Sequence, residues 1–173
     1  MYFIRSALSA VTPYSIRQST VFSAVTLILL VISMVFTACR HNTEADCYLD
    51  IAENIMEEHP DSALTLLESI RQNLSDDKAV KARYALLTSM AIDKNGIDTT
   101  DFNTLQPAID YYSTHGTPDE KLRTYYYQGR IFQNREEYTP AMTAFVKALD
   151  FKDQATDSLA IARLLIAQAV IYY

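Results

Sequence analysis

The chain is poor in helix-breaking residues and in those that staple small folds. Its 173 residues include three Gly, five Pro, two Cys and no Trp. So little Gly and Pro excludes a collagen or a low-complexity Pro/Gly chain, and two Cys exclude a disulfide scaffold. A further absence is local: residues 1 to 38 carry Arg5 and Arg17 but no acid. All 21 acids therefore lie in residues 39 to 173 beside 13 of the 15 basic residues, a net charge of -8 there against -6 for the whole chain. Phosphate binding needs a basic face, so this acidic body excludes nucleic acid as a partner. The apolar share is high, at 49%. That suits one packed domain plus a targeting segment.

Chemical motifs are scarce too. His41, His59 and His115 are scattered, no pair has zinc spacing, and there is no HExxH. No Gly-rich phosphate loop occurs, and Ser69, Ser75 and Ser89 lack a GxSxG setting. The acidic pairs Glu57-Glu58, Asp76-Asp77 and Glu136-Glu137 fall at helix ends or first turns and read as solvated carboxylates. The sequence predicts no enzyme, no metal site and no cofactor.

Val21 to Ala38 reads VFSAVTLILLVISMVFTA, without a charge, after a basic stretch and before Cys39. Basic, apolar and small-residue regions in that order make a secretory signal. Phe36-Thr37-Ala38-Cys39 resembles the lipobox of bacterial lipoproteins, although Phe stands where Leu is commonest and the basic region is long. The resemblance implies cleavage before Cys39, acylation of its thiol with palmitate-type chains, and an exported, lipid-anchored protein. In that family an Asp after the Cys favours the inner membrane, so Arg40 points to the outer one. Two other readings stay open: an uncleaved transmembrane anchor, since eighteen apolar residues nearly span a bilayer, and an ordinary signal peptide with an unrelated Cys. Residues 39 to 46 read as a tether, and Cys47 as a small apolar residue opening a helical pattern.

Beyond residue 46 the apolar pattern is helical. Ile51, Ile55 and Met56 share a face. Asp61 is expected to cap a helix with Ala63, Leu64, Leu67 and Ile70 on one side. No stretch sustains period-2 alternation, so the fold class is all-α. The helices repeat. Arg83, Arg123 and Arg163 are 40 apart, and aligning them superposes Ala85, Tyr125 and Leu165; small Ser89, Gly129 and Ala169; and large Ile92, Phe132 and Tyr172. In the second helices Leu105 meets Phe145, Ala108 meets Ala148, and Ile109 meets Leu149. Such copies bury their apolar faces by stacking.

Residues 122 to 155 resemble a tetratricopeptide repeat. Tyr125, Gly129, Phe132, Tyr138, Ala141, Phe145 and Ala148 stand at that family's large, small and aromatic positions, while Gln128 and Asp153 depart from its Leu and Pro. The match is weaker for 81 to 114 and weakest for 47 to 72. The resemblance implies a right-handed solenoid of antiparallel helix pairs with a period of about 40, divided as 1-38 signal, 39-46 tether, and repeats 47-72, 76-114, 119-153 and a half-repeat 157-173. In the family the first helices line a groove for peptide ligands. Carried over, this gives Arg83, Leu86 and Met90; Arg123, Tyr126, Arg130 and Gln133; and Arg163, Ile166 and Val170, with Tyr125 in the core. The Arg ladder either accepts an acidic peptide by charge-assisted hydrogen bonds or pairs with acids of neighbouring repeats.

The last segment ends on Ala169-Val170-Ile171-Tyr172-Tyr173 without a polar cap, which implies continuation of the array, a covering partner or self-association. The expected function is a protein- or peptide-binding scaffold of the cell envelope, membrane-bound by its lipid. The alternative is the amino-terminal sensory or regulatory module of a longer envelope signalling protein.

Overall fold

A computed structural model describes residues 43 to 172, which lie within one compact unit, Asn42–Tyr173. Among the described residues the fold is all-helical, without a strand. The helices are α1 (Thr43–Ile55), α2 (Pro60–Ile70), α3 (Lys78–Lys94), α4 (Gln106–Tyr112), α5 (Pro118–Asn134), α6 (Tyr138–Leu149) and α7 (Ser158–Tyr172), with a 3-10 turn at Arg71–Asn73. The expected signal segment and Cys39 lie outside the described residues. None of the described helices is long and apolar enough to cross a membrane.

Local chemistry sets the boundaries. Asp77 caps α3 by accepting a hydrogen bond from Ala79 N at 2.7 Å. A capping box starts α5: Thr117 Oγ1 accepts from Glu120 N, and Glu120 Oε2 accepts from Thr117 N. Pro118 follows Thr117 at the first helical position, where its missing N–H costs nothing. Both helices close alike. Gly96 (φ 69°) lets Ile97 N donate back to Ile92 O, and Glu136 (φ 62°) lets Glu137 N donate back to Phe132 O. These are left-handed closures forty positions apart.

Each helix packs on the next, most extensively α5 on α6. Across the pairs α1 also touches α3, α3 touches α5, and α5 touches α7. One continuous core results, including Leu49, Met56, Leu67, Leu87, Leu105, Leu122, Phe145 and Leu164, all essentially inaccessible. Gly129 sits against Phe145: a Cβ there would lie 2.3 Å from Cε1 of the ring. Ala141 and Ala148 are buried on the same side.

Several expectations need correction. Residues 43 to 46 are not tether but the first turn of α1, where Ala45 buries in step with Leu49 and Ala52. Asp61 lies inside the first turn of α2; His59 precedes that helix and makes no side-chain cap. Cys47 and Ile51 are exposed, because α1 turns its Ala45-Leu49-Ala52-Met56 stripe inward instead. Tyr138 is no core residue: it opens α6 and is 52% exposed. Tyr125 is half-buried at the edge, its ring stacked on Phe151 at 6.1 Å, and Phe132 is half-buried against Phe102 at 5.0 Å. Tyr126 is buried instead. Along α7, Ala160, Leu164 and Ala167 face inward, while Leu159, Leu165, Ile166, Val170 and Tyr172 are exposed.

Candidate functional site

Three arginines spaced by forty are brought to one cluster by the acids of α1. Asp50, Glu53 and Glu57 recur at three- and four-residue intervals, so they share one face of α1 and the turn that ends it. Arg83 Nη2 donates to Asp50 Oδ1 at 2.6 Å and to Glu53 Oε2 at 2.8 Å. The other oxygen of Glu53 accepts from Arg123 Nη1 at 3.0 Å. Glu57 takes Arg163 as a fork, at 3.1 and 2.6 Å, and also Lys94 Nζ at 2.8 Å. Thus α1 is tied by charge to α3, α5 and α7 together.

Arg123 is the most enclosed of the three arginines. Asp157 Oδ2 meets its Nε at 2.8 Å and its Nη2 at 2.6 Å, opposite Glu53. Asp157 is itself fixed: its Oδ1 accepts from Ala160 N, while Asp119 receives the backbone N–H groups of Thr156 and Asp157. Burial alone would lower the Arg123 pKa, but the hydrogen bonds to Asp157 and Glu53 outweigh it and raise it. The Arg163 hydrogen bonds hold the Glu57 carboxyl at about 2, against an ordinary 4.5; burial opposes this and Lys94 adds to it.

A second polar group lies beyond the cluster. Arg130 Nε donates to Asp93 Oδ1 at 2.9 Å and its Nη1 to Gln133 Oε1 at 2.8 Å. Arg130 borders a small cleft of about 20 Å³ with Ser89, Asp93, Leu105 and Tyr127. Burial pushes the Tyr126 phenol up to about 12 and that of Tyr127 well above its usual value.

Of the expected groove residues, the structure brings Arg83, Arg123 and Arg163 together and pairs Arg130 with Gln133. Leu86, Met90 and Tyr126 are buried instead of lining a surface, and Ile166 and Val170 are exposed on α7. Sequence reasoning named none of Glu53, Asp157 and Lys94 as site residues; far from being merely solvated, Glu57 holds two cations, Lys94 and Arg163. The signal was the Asp50-Glu53-Glu57 spacing. Among the described residues no three His, Cys, Asp or Glu side chains could hold a metal ion. His115 stacks on Tyr111 at 4.6 Å.

No family model, curated protein or solved structure matches this chain. The functional reading therefore rests on the geometry and on the sequence.

Proposed function

We propose that the chain is a lipid-anchored, tetratricopeptide-like solenoid of the cell envelope that binds an acidic protein segment along its arginine ladder. Three features support it. The helices α3 and α5 have equal length, begin and end forty positions apart, and close with the same left-handed turn. The first helices of successive pairs touch one another in order. What carries the reading is the convergence of Arg83, Arg123 and Arg163, from three helices, on Glu53 and Glu57. A site that already holds carboxylates in charge-assisted hydrogen bonds has the chemistry to hold those of a ligand.

The test is binding of a glutamate-rich peptide to the full chain, followed by fluorescence anisotropy at low and high salt. Binding weakens as salt rises and falls at least about tenfold in Arg123→Glu, the equivalent of one lost charge-assisted contact. Unchanged affinity in Arg123→Glu overturns the ladder. The anchor is tested separately by palmitate labelling in a bacterial host. The label is expected in the native chain and absent from Cys39→Ser; a label that persists in the variant overturns lipidation at Cys39.

A further inference from the structure

We infer that the outer face of α7 seats a second copy of this chain, the two α7 helices packing antiparallel about a two-fold axis between Leu165 and Ile166. The pairing is independent of the arginine ladder: Arg163, the one charged residue of α7, is held by Glu57.

The face is open and apolar. Helix α3 is covered by α4, and α5 by α6, whereas α7 packs mainly on α5 and α6 and has no such cover among the described residues. Leu159, Leu165, Ile166, Val170 and Tyr172 are each more than half exposed. Towards α6 the face runs into a groove of about 510 Å³ beside Tyr138, Met142, Val146 and Ile171. Lys147 also borders the groove, but its ammonium lies 5.8 Å from the Tyr125 ring. A contiguous apolar surface of this kind marks an interaction site.

The order of residue sizes selects the occupant. A helix turns about 100° per residue, which centres the exposed Ala162 and Ala169 on this face, with Leu165 and Tyr172 on one flank. Leu159, Ile166 and Val170 form the other flank. Ala169 stands forty positions after Gly129, where α5 receives the Phe145 ring, so the small residue marks a point of close approach on α7 too. The pattern is the same from either end. Leu159 and Tyr172, Ala162 and Ala169, and Leu165 and Ile166 lie at equal distances from its midpoint. An antiparallel second copy therefore sets small against small and large against large. The facing alanines let the helix axes close to the short end of the usual ~8–10 Å. Charge selects the same occupant. The chain beyond residue 38 carries a net charge of -8, and a two-fold axis brings each interface charge towards its own copy. The exposed residues of α7 include no charge, so copies meet there without repulsion, and a partner recognised by charge finds no handle. Such a self-complementary contact closes at two copies.

The experiment is sedimentation equilibrium of the full chain in density-matched detergent micelles, with circular dichroism to check that each variant folds. The native chain is expected at two copies per particle. Ile166→Lys is expected to raise the dissociation constant at least about a hundredfold, by burying an unpaired ammonium. Ala169→Leu separates a packed helix pair from mere apolar adhesion. The pair loses its point of close approach and weakens about tenfold, whereas adhesion strengthens with the added apolar surface. Direction is read by cross-linking in a Cys47→Ser background, which removes the exposed thiol. Ala162→Cys mixed with Ala169→Cys is expected to form a disulfide between copies. Ala162→Cys alone is not, because its two copies lie about 10 Å apart along the helix, beyond the ~7 Å reach of a disulfide. A native chain that stays single overturns the pairing and leaves the face to a lipid surface or another protein. Growth beyond two copies, a tighter Ala169→Leu, or cross-linking of Ala162→Cys to itself overturns the antiparallel two-fold.

Discussion

The helices α3 and α5 are near copies that face different neighbours. Each has 17 residues, each is capped by a side chain just before it, and each sends an arginine, Arg83 or Arg123, to Glu53. They diverge on the packing side. At the small position α5 has Gly129, and the Phe145 ring lies where a Cβ would otherwise be. Ser89 in α3 spends its hydroxyl on Ala85 O at 2.9 Å and borders the small cleft with Leu105. The partner of α5 is a 12-residue helix, and that of α3 has only seven residues. The arginine side of these helices is thus kept while the packing side varies: a glycine meets the Phe145 ring in one pair, and a serine borders a cleft in the other.

The largest test of that contrast is truncation of the two matched core residues. Phe145→Ala is expected to cost about 3–5 kcal/mol by chemical denaturation, since the ring fills the space that Gly129 opens. Leu105→Ala should fall near the low end of about 2–5 kcal/mol, because the cleft beside it relieves part of the cavity. Equal costs would erase the distinction between the junctions.

Alkaline pH probes the next pair of positions. Leu86 and Leu87 in α3 correspond to Tyr126 and Tyr127 in α5. Burial, with Asp93 adding to it, raises Tyr126 from 10 to about 12, so the unfolded chain releases this proton first. Stability is full below pH 10 and is lost as pH rises towards 12, by on the order of 2–3 kcal/mol for this group. In Tyr126→Phe the alkaline unfolding midpoint is expected to move up, while buried Tyr112 and Tyr127, also raised, keep part of the loss. An unmoved midpoint would place the alkaline sensitivity elsewhere.

The closing turns offer a smaller test. Glu136 holds φ 62° where the matching residue is Gly96. Left-handed backbone costs an L-residue about 1–2 kcal/mol, partly offset by the greater unfolded-state entropy of Gly. Glu136→Gly is therefore expected to raise stability by about 0.5–1 kcal/mol. Gly96→Ala should lower it by about 1 kcal/mol, purely through conformation, because no atom lies within 4 Å of the added Cβ. Thermal midpoints moving in opposite directions would confirm that the same turn closes both helices.

How far the sequence could be read follows from these residues. The helical class was legible, because it comes from local periodicity. The direction of the three consecutive tyrosines was not. A helix advances 100° per residue, so neighbouring rings differ only by rotation, and it is tertiary packing that sets Tyr126 beside Phe145 of α6, turns Tyr127 to the cleft with Ser89 and Leu105, and leaves Tyr125 at the edge on Phe151. Tyr138 was misread because its motif position lies at the start of α6, where nothing covers it. The arginine ladder was visible as a spacing, but its partners lie between 30 and 106 residues away in sequence, and only the tertiary packing of the helices brings them within reach.

Glu57 tests the conserved charged side of the comparison with the smallest effect. Its carboxyl titrates at about 2 in the folded protein against 4.5 ordinarily, with Arg163 as the leading cause. A depressed acid stabilises the fold above its unfolded value, and the contribution disappears as pH falls from 4.5 towards 2. The side chain is 42% exposed, so solvent screening keeps that contribution below about 1 kcal/mol despite the size of the shift. Denaturation of the native chain and of Glu57→Gln should therefore differ slightly at neutral pH and converge near pH 2. Added salt should narrow the neutral-pH difference, whereas the costs of Phe145→Ala and Leu105→Ala stay nearly unchanged by salt. A Glu57→Gln difference that persists at pH 2 would mean that the side chain holds α1 by packing and not by charge, and α1 would then belong with the apolar side of the molecule.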